Sequence, residues 1–335
     1  MTDDIRLSED EIHRLAYDFL RFHGLSSGQS GAMATILMKA QRDGCLSHGL
    51  QRLPGTLDTM GHRAFNRDAI PVVAHVTPAV IKVDAGYGFS VSGALAGLPA
   101  LIDGARSLGI AMLAVNNGFH STALWPVVEE IADHGLAALS MNPTHDWVAP
   151  AGGSRPVLGT NPIAFAWPRP EQPPYVFDFA TTAASRADIA LHRQAGKAIP
   201  EGWGLDRDGQ PTTDPAAVLS GAMLPFGGHK GSALATMIEL LSGPLIGDRT
   251  SHQSAQFDQS CNAAPCHGEL ILAFDPALLA GRDNTAAAET VLDGISDQGA
   301  RLPGSRRHAV RSRNLREGIP VSKPLYDRIM SLMQA

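Results

Sequence analysis

Cysteine is scarce in this chain of 335 residues: three, at positions 45, 261 and 266, an odd count that builds no disulfide framework. Cys261 and Cys266-His267 have no second pair downstream, so zinc-type spacing is incomplete. No metal site is expected, and these thiols read as loop residues. Long apolar runs are also missing, and nothing approaches the roughly 20 residues of a membrane span. The opening Met1-Thr2-Asp3-Asp4 is acidic where a signal peptide would be basic and then apolar, so a cytoplasmic location is expected. Charged residues are slightly sparse at 18%, with a formal net charge of −6. A chain so charged, taken whole, is not built to sit on nucleic acid or anionic membrane. Internal repeats and low-complexity tracts are absent.

What remains is an ordinary globular composition, 44% hydrophobic, long enough for about two domains with a substantial core. Ser8-Glu9-Asp10-Glu11 reads as a capping box opening a helix whose Ile12, Leu15, Ala16, Phe19 and Leu20 share one face. A second helix is predicted from Ser27, delivering the segment around Ser47. Short apolar runs at 71–74, 79–84, 109–115 and 136–141 read as buried strands alternating with helices over 92–108 and 125–134. Pro, Gly and Thr crowd 149–181, with strands at 163–167 and 175–179; functional loops have this texture. Further helices are predicted at 182–195, 231–242, 286–297 and 322–333, with a strand at 269–274.

Asp43-Gly44-Cys45-Leu46-Ser47-His48-Gly49-Leu50-Gln51-Arg52 is the most informative stretch. On a continuous helix His48 and Arg52 stand one turn apart on one face. The guanidinium fork matches a carboxylate, and an imidazole suits proton transfer near neutral pH. A helix end with a solvated histidine and a surface arginine is the plainer reading of the same residues.

Other motifs resolve less. Gly86-Tyr87-Gly88-Phe89-Ser90-Val91 follows a strand, but Val91 stands where a dinucleotide fingerprint needs its third glycine, so no doubly wound Rossmann domain is predicted. Gly227-Gly228-His229-Lys230-Gly231-Ser232 is not a P-loop, because Gly231 separates Lys230 from Ser232. Glycines leading into a helix N-terminus still make an anion site or a plain loop. Arg301, Arg306, Arg307, Arg311, Arg313 and Arg316 form the one basic cluster, readable as a solvated face. Asp188, by pattern alone, is a solvated mid-helix residue.

Ser47-His48-Gly49 with Arg52-Leu53-Pro54, then Leu158-Gly159-Thr160-Asn161-Pro162, Phe177-Asp178-Phe179-Ala180-Thr181 and Pro225-Phe226-Gly227-Gly228-His229-Lys230-Gly231 follow one another along nearly the whole chain. In this order they resemble the malate/L-lactate dehydrogenase-like family of NAD(P)-dependent oxidoreductases. His120-Ser121-Thr122-Ala123-Leu124-Trp125-Pro126, Asp188 and Arg301 through Arg307 resemble its branch of Δ1-piperideine-2-carboxylate/Δ1-pyrroline-2-carboxylate reductases. The resemblance implies an α/β fold that binds nicotinamide cofactor outside a Rossmann frame. The expected organisation is a mainly helical subdomain of 1–70 plus 300–335, carrying Ser47, His48 and Arg52, and an α/β NADPH-binding domain over 71–299.

The implied activity is NADPH-dependent reduction of a cyclic imine carboxylate to L-proline or L-pipecolate, by a homodimer. The rivals are a 2-hydroxyacid dehydrogenase of the same fold and a catalytically silent binding protein. By resemblance Ser47, His48 and Asp188 form a relay, while Arg52 and Thr160 hold substrate. His120, Ser121, Thr122, Ala123, Leu124, Asp178, Phe179, Ala180, Arg186, Ala187, His229 and Lys230 line the cofactor. So do Arg301, Leu302, Pro303, Gly304, Ser305, Arg306 and Arg307, with Arg306 and Arg307 at the 2′-phosphate. Arg186-Ala187 departs from the His-Gly expected in this branch, and Asp188 replaces the Lys of the ketone-reducing relatives.

Overall fold

A computed structural model describes residues 4–334, so Met1, Thr2 and Asp3 of the acidic N-terminus and Ala335 lie outside the described residues. The strands are β1 (Asp4–Leu7), β2 (Val72–Thr77), β3 (Val80–Asp84), β4 (Ile110–Phe119), β5 (Ala137–Met141) and β6 (Ile163–Trp167). They continue as β7 (Tyr175–Phe179), β8 (Gly204–Leu205), β9 (Ala222–Met223), β10 (Cys266–Phe274) and β11 (Ile319–Ser322). Helices of the first half are α1 (Glu9–Phe22), α2 (Ser27–Arg42), α3 (Leu53–Gly61), α4 (Ser90–Leu108), α5 (Trp125–Asp133) and α6 (Arg186–Gln194). Those of the second are α7 (Pro215–Ser220), α8 (His229–Ser242), α9 (Ser251–Asp258), α10 (Pro276–Ala280), α11 (Thr285–Ser296), α12 (Ser305–Glu317) and α13 (Lys323–Leu332).

Seven strands form one mixed sheet in the order β2-β3-β4-β10-β5-β6-β7. Only β3 and β4 run parallel, joined by α4 as crossover; the other neighbours are antiparallel. Leu113, Val115, Ala138 and Ile271 of the sheet pack with Leu101 of α4 and Trp125, Val128 and Ile131 of α5 in the main core. A second core gathers the chain ends. Phe19, Leu37, Val321 and Ile329 pack there with Phe89 and Phe119, while β1 pairs β11. The segment 120–124 therefore leaves β4 from one core and enters α5 in the other.

The structure differs from the sequence reading in five places. Helix α2 stops at Arg42 because Gly44 turns the chain left-handed at φ 75°. His48 and Arg52 therefore sit on consecutive 3-10 turns, Leu46–His48 and Leu50–Arg52, instead of one helical face. Strand β2, expected to be buried, is exposed along its length, for it is an edge strand with only β3 beside it. Helix α6 begins four residues later than predicted, so Asp188 falls in its first turn, and the Arg-rich stretch proves to be helix α12. Cys266 is no loop thiol: it opens β10 and is buried, whereas Cys261 is exposed.

Candidate active site

Gln41, at the end of α2, holds the turn that carries His48. Its Oε1 accepts from the Leu50 amide at 3.1 Å and its Nε2 donates to the Pro320 carbonyl at 2.8 Å. His48 Nδ1 lies 3.1 Å from the Ser47 hydroxyl, and Nε2 makes no hydrogen bond among the described residues. Burial, with the Arg52 and His120 charges adding to it, pushes the His48 pKa down to about 3. Arg52 has a buried Nε without a hydrogen-bond partner and no ion pair among the described residues. Burial lowers its pKa as well. A desolvated guanidinium left unpaired is costly, so this position calls for an anion.

The second wall comes from Leu158-Gly159-Thr160-Asn161-Pro162. Asn161 is fully buried in a left-handed turn at φ 36°. Its amide donates to Glu239 at 2.9 Å and to the Ala235 carbonyl at 3.0 Å, and the Gly159 amide donates to Glu239 at 3.2 Å. Glu239 also accepts from the Ser251 amide at 2.9 Å and from its hydroxyl. These bonds aim Thr160 at the cleft, where its amide donates to the Thr144 hydroxyl at 2.9 Å.

The third wall is the 120–124 segment. Asp178 Oδ2 accepts from the Leu124 and Trp125 amides, each at 3.0 Å, at the start of α5. Burial raises the Asp178 pKa against those bonds and the nearby Arg307. Arg307 donates to the Val176 carbonyl at 3.1 Å and lies 4.7 Å over the Trp125 ring. Arg186 lies 4.6 Å over Trp147.

One cleft of about 820 Å³ takes in Ser47, His48, Arg52, Thr160, the 120–124 segment, Asp178, Phe179, Ala180, Arg186, Ala187, Arg301, Gly304, Arg306 and Arg307. Its lining does not include Asp188, His229, Lys230, Leu302, Pro303 or Ser305. Asp188 does not meet His48: its Oδ2 accepts from the Ser185 hydroxyl at 2.8 Å, closing a capping box on α6. His229 and Lys230 open α8 as exposed residues. The Ser305 hydroxyl turns back to the Leu302 carbonyl at 2.6 Å. Asn142, Thr144 and Trp147 also line the cleft and went unnoticed in the sequence, where nothing but the Pro- and Thr-rich texture nearby pointed to them.

A model of the malate/L-lactate dehydrogenase family matches residues 7–330. The chain belongs to that family. Within it, the chain is 52% identical over 336 residues to the Δ1-pyrroline-2-carboxylate reductase of Pseudomonas fluorescens, covering 99% of this chain and 100% of that one. It is 49% identical over 333 residues to the Δ1-pyrroline-2-carboxylate/Δ1-piperideine-2-carboxylate reductase of Pseudomonas aeruginosa, covering 98% and 100%. The crystal structure of the Δ1-piperideine-2-carboxylate reductase from Pseudomonas syringae superposes with a TM-score of 0.94 at 39% identity, over 98% of this chain and 99% of that one. The α/β fold with a mixed sheet is thus that of the malate/L-lactate dehydrogenase family.

Proposed function

We propose that this chain is an NADPH-dependent reductase of cyclic imine carboxylates, taking Δ1-pyrroline-2-carboxylate to L-proline and Δ1-piperideine-2-carboxylate to L-pipecolate. The observation that carries the reading is the half-buried Arg52, its Nε buried without a hydrogen-bond partner and no ion pair on its guanidinium among the described residues, lining the same cleft as the unpartnered His48 Nε2. Arg52 clamps the substrate carboxylate through its fork, Thr160 hydrogen-bonds it, and His48 gives the proton to the ring nitrogen, its tautomer set by Ser47. His48 is a neutral imidazole in the free protein at neutral pH. A carboxylate on Arg52 offsets one of the charges that hold the His48 pKa down, so that pKa is higher with substrate in place than in the free protein, while burial, the larger cause, remains.

The residues fit a nicotinamide dinucleotide. Ser121 offers a buried hydroxyl without a partner, and Arg301 and Arg306 are exposed cations without an ion pair among the described residues. Such a cofactor supplies the hydride. A sheet with one parallel pair supports binding outside a Rossmann frame. The pairing of β1 with β11 supports a helical subdomain built from both chain ends. His229 and Lys230, exposed at the N-terminus of α8 and outside the cleft lining, are proposed to meet the outer phosphates of the cofactor.

Asp188 is assigned to acceptor choice. A negative charge beside the cleft favours the cationic, protonated imine and disfavours a developing alkoxide. Asp188→Asn keeps the capping role and removes the charge, so cyclic imine reduction should fall at least about tenfold with α6 intact by circular dichroism. The deciding assay compares both cyclic imines with pyruvate and oxaloacetate under NADPH and NADH. Equal kcat/KM on a 2-oxoacid assigns the chain to the hydroxyacid dehydrogenases instead.

We further propose a homodimer formed through β2, whose Val72 and Val76 are 63% and 58% exposed, with Ile70 beside them at 81%. Light scattering that gives the mass of a single chain removes this proposal.

A further inference from the structure

Behind the cleft lies a buried acid that the reaction as described does not use. Glu269, 2% exposed, stands on β10 just after a bulge, where the register with β4 shifts between His267 and Glu269. Bulges beside active sites re-aim side chains. Glu269 Oε1 accepts from the Ser140 hydroxyl of β5 at 3.0 Å, and Oε2 faces His120 Nδ1 at 3.5 Å. No lysine or arginine pairs with this carboxylate among the described residues, so His120 is its one titratable partner.

His120 connects the acid to the cleft wall. Its Nε2 donates to the Thr122 carbonyl at 2.9 Å, because a carbonyl can only accept. Nδ1 stands 2.9 Å from the Ser90 hydroxyl, which donates to it when the ring is neutral, and 3.5 Å from Glu269 Oε2, a contact that becomes an ion pair when the ring carries its second proton. The imidazole is thereby fixed on both sides, and with it the start of the segment whose far end Asp178 holds by the Leu124 and Trp125 amides. Two carboxylates anchor the two ends of one cleft-lining segment, the half-buried Asp178 directly and the buried Glu269 through an imidazole. Between the anchors the Ser121 hydroxyl is buried without a partner and faces the cleft.

We infer that Glu269 is a positioning residue for the reduction: acting through His120, it sets the place of the Ser121–Leu124 segment against which the hydride donor is held. The inference rests on the function proposed above. Misplacement by a fraction of an ångström weakens hydride transfer while leaving the carboxylate clamp on Arg52 alone, which separates this role from a general loss of structure.

Glu269→Gln keeps the size and an acceptor for Ser140 but removes the charge facing His120. The expected result is a kcat lower by about tenfold, a KM for the cyclic imine within about twofold of wild type, and an NADPH affinity weakened by about threefold or more in a fluorescence titration. Wild-type kcat with an unchanged titration overturns the inference, as does a KM for the imine that rises in step with the loss of kcat. If that variant does not fold, Glu269→Asp draws the charge back by one methylene and must show the same split; wild-type values in both parameters overturn the inference. Wild-type protein that reduces no cyclic imine defeats the proposed function, while the NADPH titration of the variant still tests the positioning role.

Discussion

At the residue scale, His48 and Arg52 explain each other. Burial, the larger cause, and the Arg52 charge together push the His48 pKa down to about 3. In the proposed reaction a substrate carboxylate on Arg52 offsets the Arg52 share of that shift and leaves the burial share in place. Because catalysis needs the protonated ring, activity is lost as pH rises through the His48 pKa, and that pKa is higher in the substrate complex than in the free protein. The alkaline limb of kcat should therefore lie at higher pH than that of kcat/KM, and paired pH profiles check this; coincident limbs would separate His48 from Arg52. Arg52→Lys keeps the charge but loses the fork, so kcat/KM should drop more than about tenfold, chiefly through KM, in steady-state kinetics. Both residues were legible as chemistry in Ser47-His48 and Arg52, though not their backbone, since the left-handed Gly44 breaks the helix that periodicity extended.

At the scale of elements, the candidate site stands on short connections pinned by acids, the buried Glu239 and the half-buried Asp178. Glu239 holds the turn at Gly159-Thr160-Asn161, and Asp178 holds the start of α5. A Cβ at Gly159 would stand 2.4 Å from both Asn161 Oδ1 and Thr144 Oγ1 and 2.6 Å from Ser251 Oγ. Gly159→Ala must therefore displace the groups that aim Thr160. It should destabilise the protein by about 1–3 kcal/mol in a denaturant titration and raise the KM for substrate. An unchanged KM in a folded variant would take Thr160 away from the substrate. Strands β6 and β7 were legible to the residue, because each is a compact apolar run bounded by Pro, Gly or Thr. β1 and β11 were not: four residues each, they exist only because the two chain ends meet. The anchoring acids were equally hidden, as Glu239 reads as an ordinary helix residue and Glu269 as an ordinary strand residue until tertiary packing gives them partners.

At the scale of the whole molecule, a chain of net charge −6 carries a cleft walled by arginines: Arg52, Arg186, Arg301, Arg306 and Arg307. A cationic concavity on a negative body gathers small anions at that place. The arginines are not equivalent. Arg307 gives one guanidinium nitrogen to the Val176 carbonyl and lies over the Trp125 ring with its Nε buried and unpartnered, while Arg311 of the same helix is held by Asp43 and Glu129. Arg301 and Arg306 are exposed and unpaired among the described residues, so we propose that Arg301 joins Arg306 and Arg307 at the 2′-phosphate. Replacing Arg301 and Arg306 with alanine should raise the KM for NADPH by about tenfold or more and leave that for NADH within about twofold. Exposed charges are screened by salt, so the wild-type KM for NADPH should also climb with ionic strength more steeply than that for NADH, and the double variant should flatten this difference. The measurement is KM for each cofactor at low and high salt, in both proteins. If the two cofactors lose affinity equally, these arginines serve the general field of the cleft and do not read the extra phosphate.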